Sequence, residues 1–186
     1  MKIRLLSILA LCFLLVSTCK KEDPIPGEAT LHYDGENLTG PFLAAGYHEL
    51  AVYFPKSTMW DHANWKLTEV TWYMGGFADS LVVKIYDQGA TGAPGAVLYE
   101  ADVTGTTILN RWQEHLLPTP LTLTGDGIWV SVGARHDIGK QSIGCDAGPN
   151  KSNGDWHFQE ADNEWKTYVQ RTAESVNWNI RAIVKE

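Results

Sequence analysis

Residues 177–185 read Asn-Trp-Asn-Ile-Arg-Ala-Ile-Val-Lys, and along an extended chain Trp178, Ile180, Ala182 and Val184 fall on one face, with Asn177, Asn179 and Arg181 on the other. A period of two with apolar residues on the repeating side predicts a half-buried strand. The alternation recurs upstream, with Val70, Trp72 and Met74 set against Glu69, Thr71 and Tyr73 in 67–74, and Leu81, Val83 and Ile85 set against Lys84 and Tyr86. Further extended stretches are predicted at 97–103, 111–117, 121–124 and 128–135. They are separated by the Gly-Ala-Thr-Gly-Ala-Pro-Gly run at 89–95, by Pro118 and Pro120, and by Gly125-Asp126-Gly127. The two prolines confine 117–121 to a sheet edge or a crossing, because neither can donate to a ladder. One helical turn is predicted over Ser57 to Ala63, with Ser57 or Thr58 as its cap. About eight to ten short strands with this spacing predict an all-β fold, a two-sheet antiparallel β-sandwich of jelly-roll type.

The chain has 186 residues, which suits one domain. Its 44% hydrophobic and 20% charged residues exclude a disordered tail, a collagen and a coiled coil. With 15 basic residues against 22 acidic ones and a net charge of −7, a phosphate-tracking surface is excluded, so no nucleic-acid partner is expected.

At the amino end, Lys2 and Arg4 precede an apolar run from Leu5 to Val16. That is the length of a signal-peptide core and short of the roughly 20 residues a bilayer span needs. The sequence Val16-Ser17-Thr18-Cys19 resembles the lipobox of bacterial lipoproteins, departing from it at Thr18, where Gly, Ala or Ser is usual. The resemblance implies cleavage before Cys19 and lipidation of that cysteine. The alternative is an ordinary secretory signal in which the cysteine is coincidental. Lys20-Lys21-Glu22-Asp23 resembles the tract that follows the lipidated cysteine in surface lipoproteins of the Bacteroidetes, which implies the outer membrane and its cell-surface face. The organisation expected is therefore a lipoprotein signal peptide at 1–18, a lipidated cysteine and Pro-rich linker at 19–27, and one β-sandwich domain at 28–186. With Cys19 acylated, Cys145 lacks a disulfide partner and is expected as a small buried hydrophobe.

Five segments carry a second resemblance: TEVTWYMGG at 68–76, SLVVKIYDQGATGAPGAVLYE at 80–100, RWQEHLLPTPLTLTGDGIWVSVGA at 111–134, SIGCDAGP at 142–149 and NWNIRAIV at 177–184. Together they resemble a β-sandwich domain of secreted and lipid-anchored proteins of the Bacteroidetes, including modules beside gingipain-type adhesin domains. The resemblance spans about residues 28–186. It implies a jelly-roll-like binding or adhesion-associated module without an assigned activity.

Catalytic motifs are sparse. His32, His48, His62, His115, His136 and His157 lack the spacing that aims two imidazoles at one zinc, and no HExxH occurs. The serine of Gly139 to Gly144 has one residue too many before it for a nucleophile elbow. Glu160, Asp162 and Glu164 have the alternate spacing of a glycosidase carboxylate pair, but they sit in a polar stretch read as a solvated loop. Asp34, Glu36, Asp146, Asp155 and Asp162 are candidate oxygen ligands for a structural calcium, the one cofactor the sequence suggests.

The compositional excess is aromatic, with eight Trp and seven Tyr. Aromatic faces stack on the C–H side of sugars, while indole and phenol groups hydrogen-bond hydroxyls. Trp72 and Trp178 are in phase with aliphatic neighbours and are expected in the core. Trp60, Trp65, Trp156 and Trp165, in loop-like contexts, and Tyr73 and Tyr86, facing outward, are the candidate ligand-binding residues. The function expected is a non-catalytic, lipid-anchored surface module for binding or adhesion. Its partners would be the membrane, through the acyl anchor, and glycans or surface proteins. The alternative is a carbohydrate-binding module using these aromatics, and a concanavalin-like glycoside hydrolase is least favoured.

Overall fold

The computed structural model describes residues 25–186, so the leader, Cys19 and the first part of the linker lie outside the described residues. Within them the alternating segments become strands β4 (Lys66–Met74), β5 (Ser80–Asp87), β6 (Val97–Asp102), β7 (Arg111–Thr122), β8 (Ile128–His136) and β12 (Ile180–Lys185). Preceding these are β1 (Glu28–Leu31), β2 (Phe42–Leu43) and β3 (Gly46–Phe54); β9 (Lys140–Gln141), β10 (Trp156–Gln159) and β11 (Glu164–Thr167) lie between β8 and β12. One sheet has the order β1-β12-β4-β7, the other β11-β10-β3-β8-β5-β6, and β2-β9 form a small flap. Every pairing is antiparallel. The sets β1-β12-β4-β7 and β3-β8-β5-β6 are the two halves of an eight-strand jelly roll, and the β10–β11 hairpin extends the second sheet beyond β3.

The inner faces meet in one apolar layer: Leu50, Val52 and Phe54 from β3, Val70, Trp72 and Met74 from β4, Leu81, Val83 and Ile85 from β5, Val130 and Val132 from β8, and Ile180, Ala182 and Val184 from β12. Burying each of the larger side chains stabilises the fold by about 1.5–3 kcal/mol, which makes the alternating pattern the main determinant of the sandwich. Trp178 is buried just before β12, held by a bridge to Cys145 and by its indole N–H donating to the Trp156 carbonyl at 2.8 Å. Cys145 is buried and free, and burial pushes its thiol up to about 12, which keeps it protonated and inert.

Four expectations change. The stretch from 111 to 122 is one continuous strand, with Pro118 and Pro120 tolerated because β7 is the sheet edge. The helical turn is α1 (Lys56–Met59) followed by a 3-10 turn at Trp60–His62; Pro55 takes the cap position, and no side chain caps it. Ser57 and Thr58 lie inside that turn. The strand predicted at 177–185 begins at Ile180. The acidic stretch keeps Glu160 and Asp162 in an exposed turn, as expected, but that turn closes the β10–β11 hairpin, where Glu164 opens β11. Strand β11 runs into α2 (Tyr168–Thr172) through a capping box in which Thr167 and Gln170 bond each other's backbone N–H.

Candidate ligand-binding site

The register of the six-stranded sheet sets Tyr53 beside Trp129 and Trp129 beside Tyr86 on the face turned away from the sandwich core. Trp156 and Trp165 come onto this face from the added hairpin. Trp129 is the centre: it is only 1% exposed, with the Tyr53, Trp156 and Trp165 rings at 4.7, 5.1 and 5.8 Å. This second apolar cluster explains why β8 is buried on both faces.

The loop after β5 folds over the cluster. The Trp129 indole N–H donates to the Gln88 carbonyl at 3.0 Å, and the Gln88 side-chain oxygen accepts from the Gly127 N–H at 3.2 Å. Between loop and aromatics lies a cleft of about 260 Å³, walled by Tyr53, Gln88, Thr91, Trp129, Asn153 and Trp156 together with Gly89, Ala90 and Gly92. No ionisable carboxylate or amine lines it. Aromatic faces with a few hydroxyl and amide groups suit an uncharged polyhydroxylated ligand, for which ring faces meet C–H groups and amides meet hydroxyls.

Beside the cleft the sheet is braced by a buried carboxylate. Glu49 accepts from the Tyr86 and Ser131 hydroxyls at 2.6 Å each and from Tyr47 at 2.8 Å, with the Lys84 ammonium at 3.5 Å. Burial first, and then the Glu49 charge, push the Tyr47 and Tyr86 hydroxyls above the normal phenol range. The Tyr47 ring lies across Gly133, where any side chain would collide with it.

The sequence-predicted aromatics divide accordingly. Trp156 lines the cleft; Trp165 packs behind it on Trp129 and Phe158, and both stand on strands rather than in loops. Trp65 packs against the main core with His62 edge-on at 4.8 Å, closing one end of the sandwich. Trp60 is 67% exposed, with the Lys56 ammonium 5.9 Å from its ring. Tyr73 and Tyr86 cannot share a platform, because β4 and β5 belong to different sheets. Tyr86 is committed to Glu49, and Tyr73 meets Trp112 edge-on, with the Arg181 guanidinium 4.0 Å from the Trp112 ring. Tyr53 and Trp129 were absent from the predicted set. Trp129 had a signal, being out of phase with Ile128, Val130 and Val132, whereas Tyr53 sits in β3, a strand the periodicity did not show.

Among the described residues no three His, Cys, Asp or Glu side chains gather as metal ligands. The candidate calcium carboxylates are mostly engaged within the protein. Asp34 accepts from Arg181 at 2.7 Å and Asn179 at 2.8 Å; Asp146 accepts the backbone N–H groups of Gly35, Gly148 and Asn177. One oxygen of Asp155 accepts from the Val169 N–H, and burial pushes that carboxyl up. Asp162 pairs with Arg171 at 2.6 Å, and Glu36 is exposed. The alternate-spaced trio is spent on ion pairs too: Glu160 with Arg135, Asp162 with Arg171, Glu164 with Lys166. The Arg171 hydrogen bond holds Asp162 down to about 2, and Arg135 lowers Glu160, whereas a general acid needs a raised value.

The sequence matches no protein-family model and no curated protein. It is similar in structure to a clostridial cysteine protease, Cwp84, after propeptide cleavage, with a TM-score of 0.63 and 12% identity over 88% of this chain and 41% of that one. A second structure, of the cysteine protease and lectin-like domains of Cwp84, a surface layer associated protein of Clostridium difficile, gives a TM-score of 0.62 and 12% identity over 88% and 37%. The likeness is one of fold. This chain spans about two fifths of each of those chains, and its jelly-roll sandwich is what they share.

Proposed function

We propose that this protein is a non-catalytic surface module, anchored in the outer membrane through lipid on Cys19, whose aromatic cleft binds a sugar unit of a glycan. The observation that carries the reading is the uncharged cleft built on Trp129, Tyr53 and Trp156 with the Gln88, Thr91 and Asn153 side chains at its wall. The lectin-like domain named for the second structural neighbour supports it, as does the engagement of the acidic trio in ion pairs. In the neighbouring cavity Asp87 accepts the N–H groups of Gly89 and Ala96, and the Lys56 hydrogen bond lowers Asp126, which favours binding over hydrolysis.

Residues 22–186 contain both sheets and their whole core, and they serve as the soluble probe for a broad glycan array. Trp156→Ala is expected to weaken saturable glycan binding about tenfold or more, since a central aromatic contact is worth about 2 kcal/mol. Trp165→Ala, outside the cleft, is expected to retain binding. Equal binding by wild type and Trp156→Ala would place the ligand elsewhere; no glycan binding at all would turn the reading to a protein partner. Cys19→Ser in the full chain is expected to move the protein from the membrane fraction to the soluble one, which metabolic acyl labelling checks independently.

A further inference from the structure

The cleft does not stand alone. A second cavity of about 540 Å³, lined by Asp87, Leu98, Thr124, Asp126 and Ile128, adjoins it, and Gln88 and Gly89 line both. The divide between the two is therefore the width of two residues. One of them is a glycine at φ +62°, whose missing Cβ would run into the backbone of Gly95, Ala93 and Pro94, so no side chain stands on the divide at that position. The other, Gln88, is tied down at its carbonyl by Trp129 and at its side-chain oxygen by Gly127. On the far side, a bulge in the β5–β6 register leaves Leu98 as the extra residue opposite Ile85 and Tyr86, and its side chain, 44% exposed, forms an apolar wall of the second cavity.

Size and charge then narrow the ligand. The first cleft, at about 260 Å³, falls below the roughly 300–1,000 Å³ usual for small-ligand sites, and the adjoining cavity, at about 540 Å³, falls within that range and extends the cleft. The first has no charged side chain, while the second presents the carboxylates of Asp87 and Asp126 on a chain of net charge −7. Anionic polymers are disfavoured at the Asp87 end of such a track. We infer that the site takes a neutral oligosaccharide of at least two units, one unit on the Tyr53–Trp156 aromatics and the next across Gly89 in the Leu98 cavity.

This inference rests on the sugar-binding reading of the cleft, and the test separates the two. Calorimetry of residues 22–186 is run with neutral β-1,4-glucan, xylan and mannan ladders from monosaccharide to hexasaccharide, alongside an oligogalacturonate ladder. Affinity is expected to rise at least tenfold between the monosaccharide and the trisaccharide of a bound neutral ladder, with the galacturonates weaker at every length. Leu98→Glu, at an exposed position of an edge strand, is expected to abolish that rise. Equal affinity for monosaccharide and trisaccharide, or a length dependence that survives Leu98→Glu, overturns the two-unit track and leaves sugar binding standing. Tighter binding of galacturonates overturns the neutral-ligand assignment. Failure of every ladder overturns the inference together with the reading it rests on.

Discussion

Replacing Asp34 with alanine is expected to lower the stability of the fold by about 3–5 kcal/mol, the range for removing one partner of a buried ion pair. The Asp34 side chain is wholly buried and accepts from Arg181 Nε at 3.1 Å and its terminal nitrogen at 2.7 Å, from Asn179 at 2.8 Å, with His32 Nδ1 at 3.0 Å. Burial alone would raise its pKa; hydrogen bonds from His32, Arg181 and Asn179 outweigh that and lower it. Without the carboxylate, the Arg181 guanidinium over the Trp112 ring loses its counter-charge, and the buried Asn179 amide keeps only the Gly35 carbonyl, at 3.3 Å, as acceptor. The double replacement Asp34→Leu with Arg181→Leu is expected to be milder than Asp34→Ala alone, because it leaves no unpaired charge. Urea denaturation of the three proteins measures this; a loss below about 1 kcal/mol for Asp34→Ala would show that the network is not structural. Because the donors already surround this carboxylate, a calcium chelator is expected to leave the midpoint unchanged. A fall on chelation would return Asp34 to the role of metal ligand.

The same network shows what the sequence could and could not reveal. Strands β4, β5 and β12 were legible because each has water on one side and core on the other, so the hydrophobic period of two survives in the sequence. Strand β3 was not, since Gly-Tyr-His-Glu-Leu-Ala-Val-Tyr-Phe is buried on both faces: His48 turns into the sandwich, and Glu49 lies beneath the Tyr47 and Tyr86 hydroxyls. Polar residues satisfied by partners more than 30 positions away, as Glu49 is by Tyr86 and Ser131, look solvated in a local window. The β10–β11 hairpin was hidden for the opposite reason. Its acidic residues are exposed and paired with Arg135, Arg171 and Lys166, so composition favoured a loop. Missing β3 also removed Tyr53 from view, whereas Trp129 stood in a predicted strand with its opposite phase legible and was not singled out. Fold class follows from local periodicity, whereas the site depends on long-range register.

Lowering the pH from about 7 to about 4.5 is expected to destabilise the protein through three buried imidazoles before most of its carboxylates titrate. His48, His136 and His157 are buried on the inner side of β3, β8 and β10, with the His48 ring 5.2 Å from His157 and 6.1 Å from His136. His48 Nε2 lies 3.0 Å from the Ala44 carbonyl, which only accepts, so Nε2 carries the proton in the neutral ring. His48 Nδ1 then accepts from His157 Nε2 at 3.0 Å, and His157 Nδ1 is left bare, buried and without a partner. His136 Nε2 meets the Ser142 hydroxyl at 3.0 Å, and its Nδ1 is likewise unpartnered. A proton added here has no adjacent carboxylate to receive it. Burial, then His48, then Arg171 press His157 down to about 3 against the weaker pull of Asp162. Burial also lowers His48, with Arg171 assisting against the Ala44 carbonyl and Glu160, and it lowers His136, with His48 and Lys140 assisting against Asp79. In the unfolded chain the same rings titrate near 6.5, so below about pH 6.5 the unfolded state binds more protons and stability falls as pH is lowered toward the folded-state values. For His157 alone the part of that gap crossed between about pH 6.5 and 4.5 corresponds to at most about 3 kcal/mol, a sizeable share of the roughly 5–15 kcal/mol that holds a domain folded. Asp34 and Asp146, held below the usual carboxylate range, lose their contribution only below about pH 4, so the two effects separate along the pH axis. Urea midpoints taken from about pH 7.5 to about 4.5 are expected to decline steadily in the wild type and less steeply in His157→Gln, which can still donate to His48 and has no ring to charge. A wild-type midpoint that stays flat across that range would mean the imidazoles gain compensating partners when protonated, and the buried cluster would then be no acid-labile point of the fold.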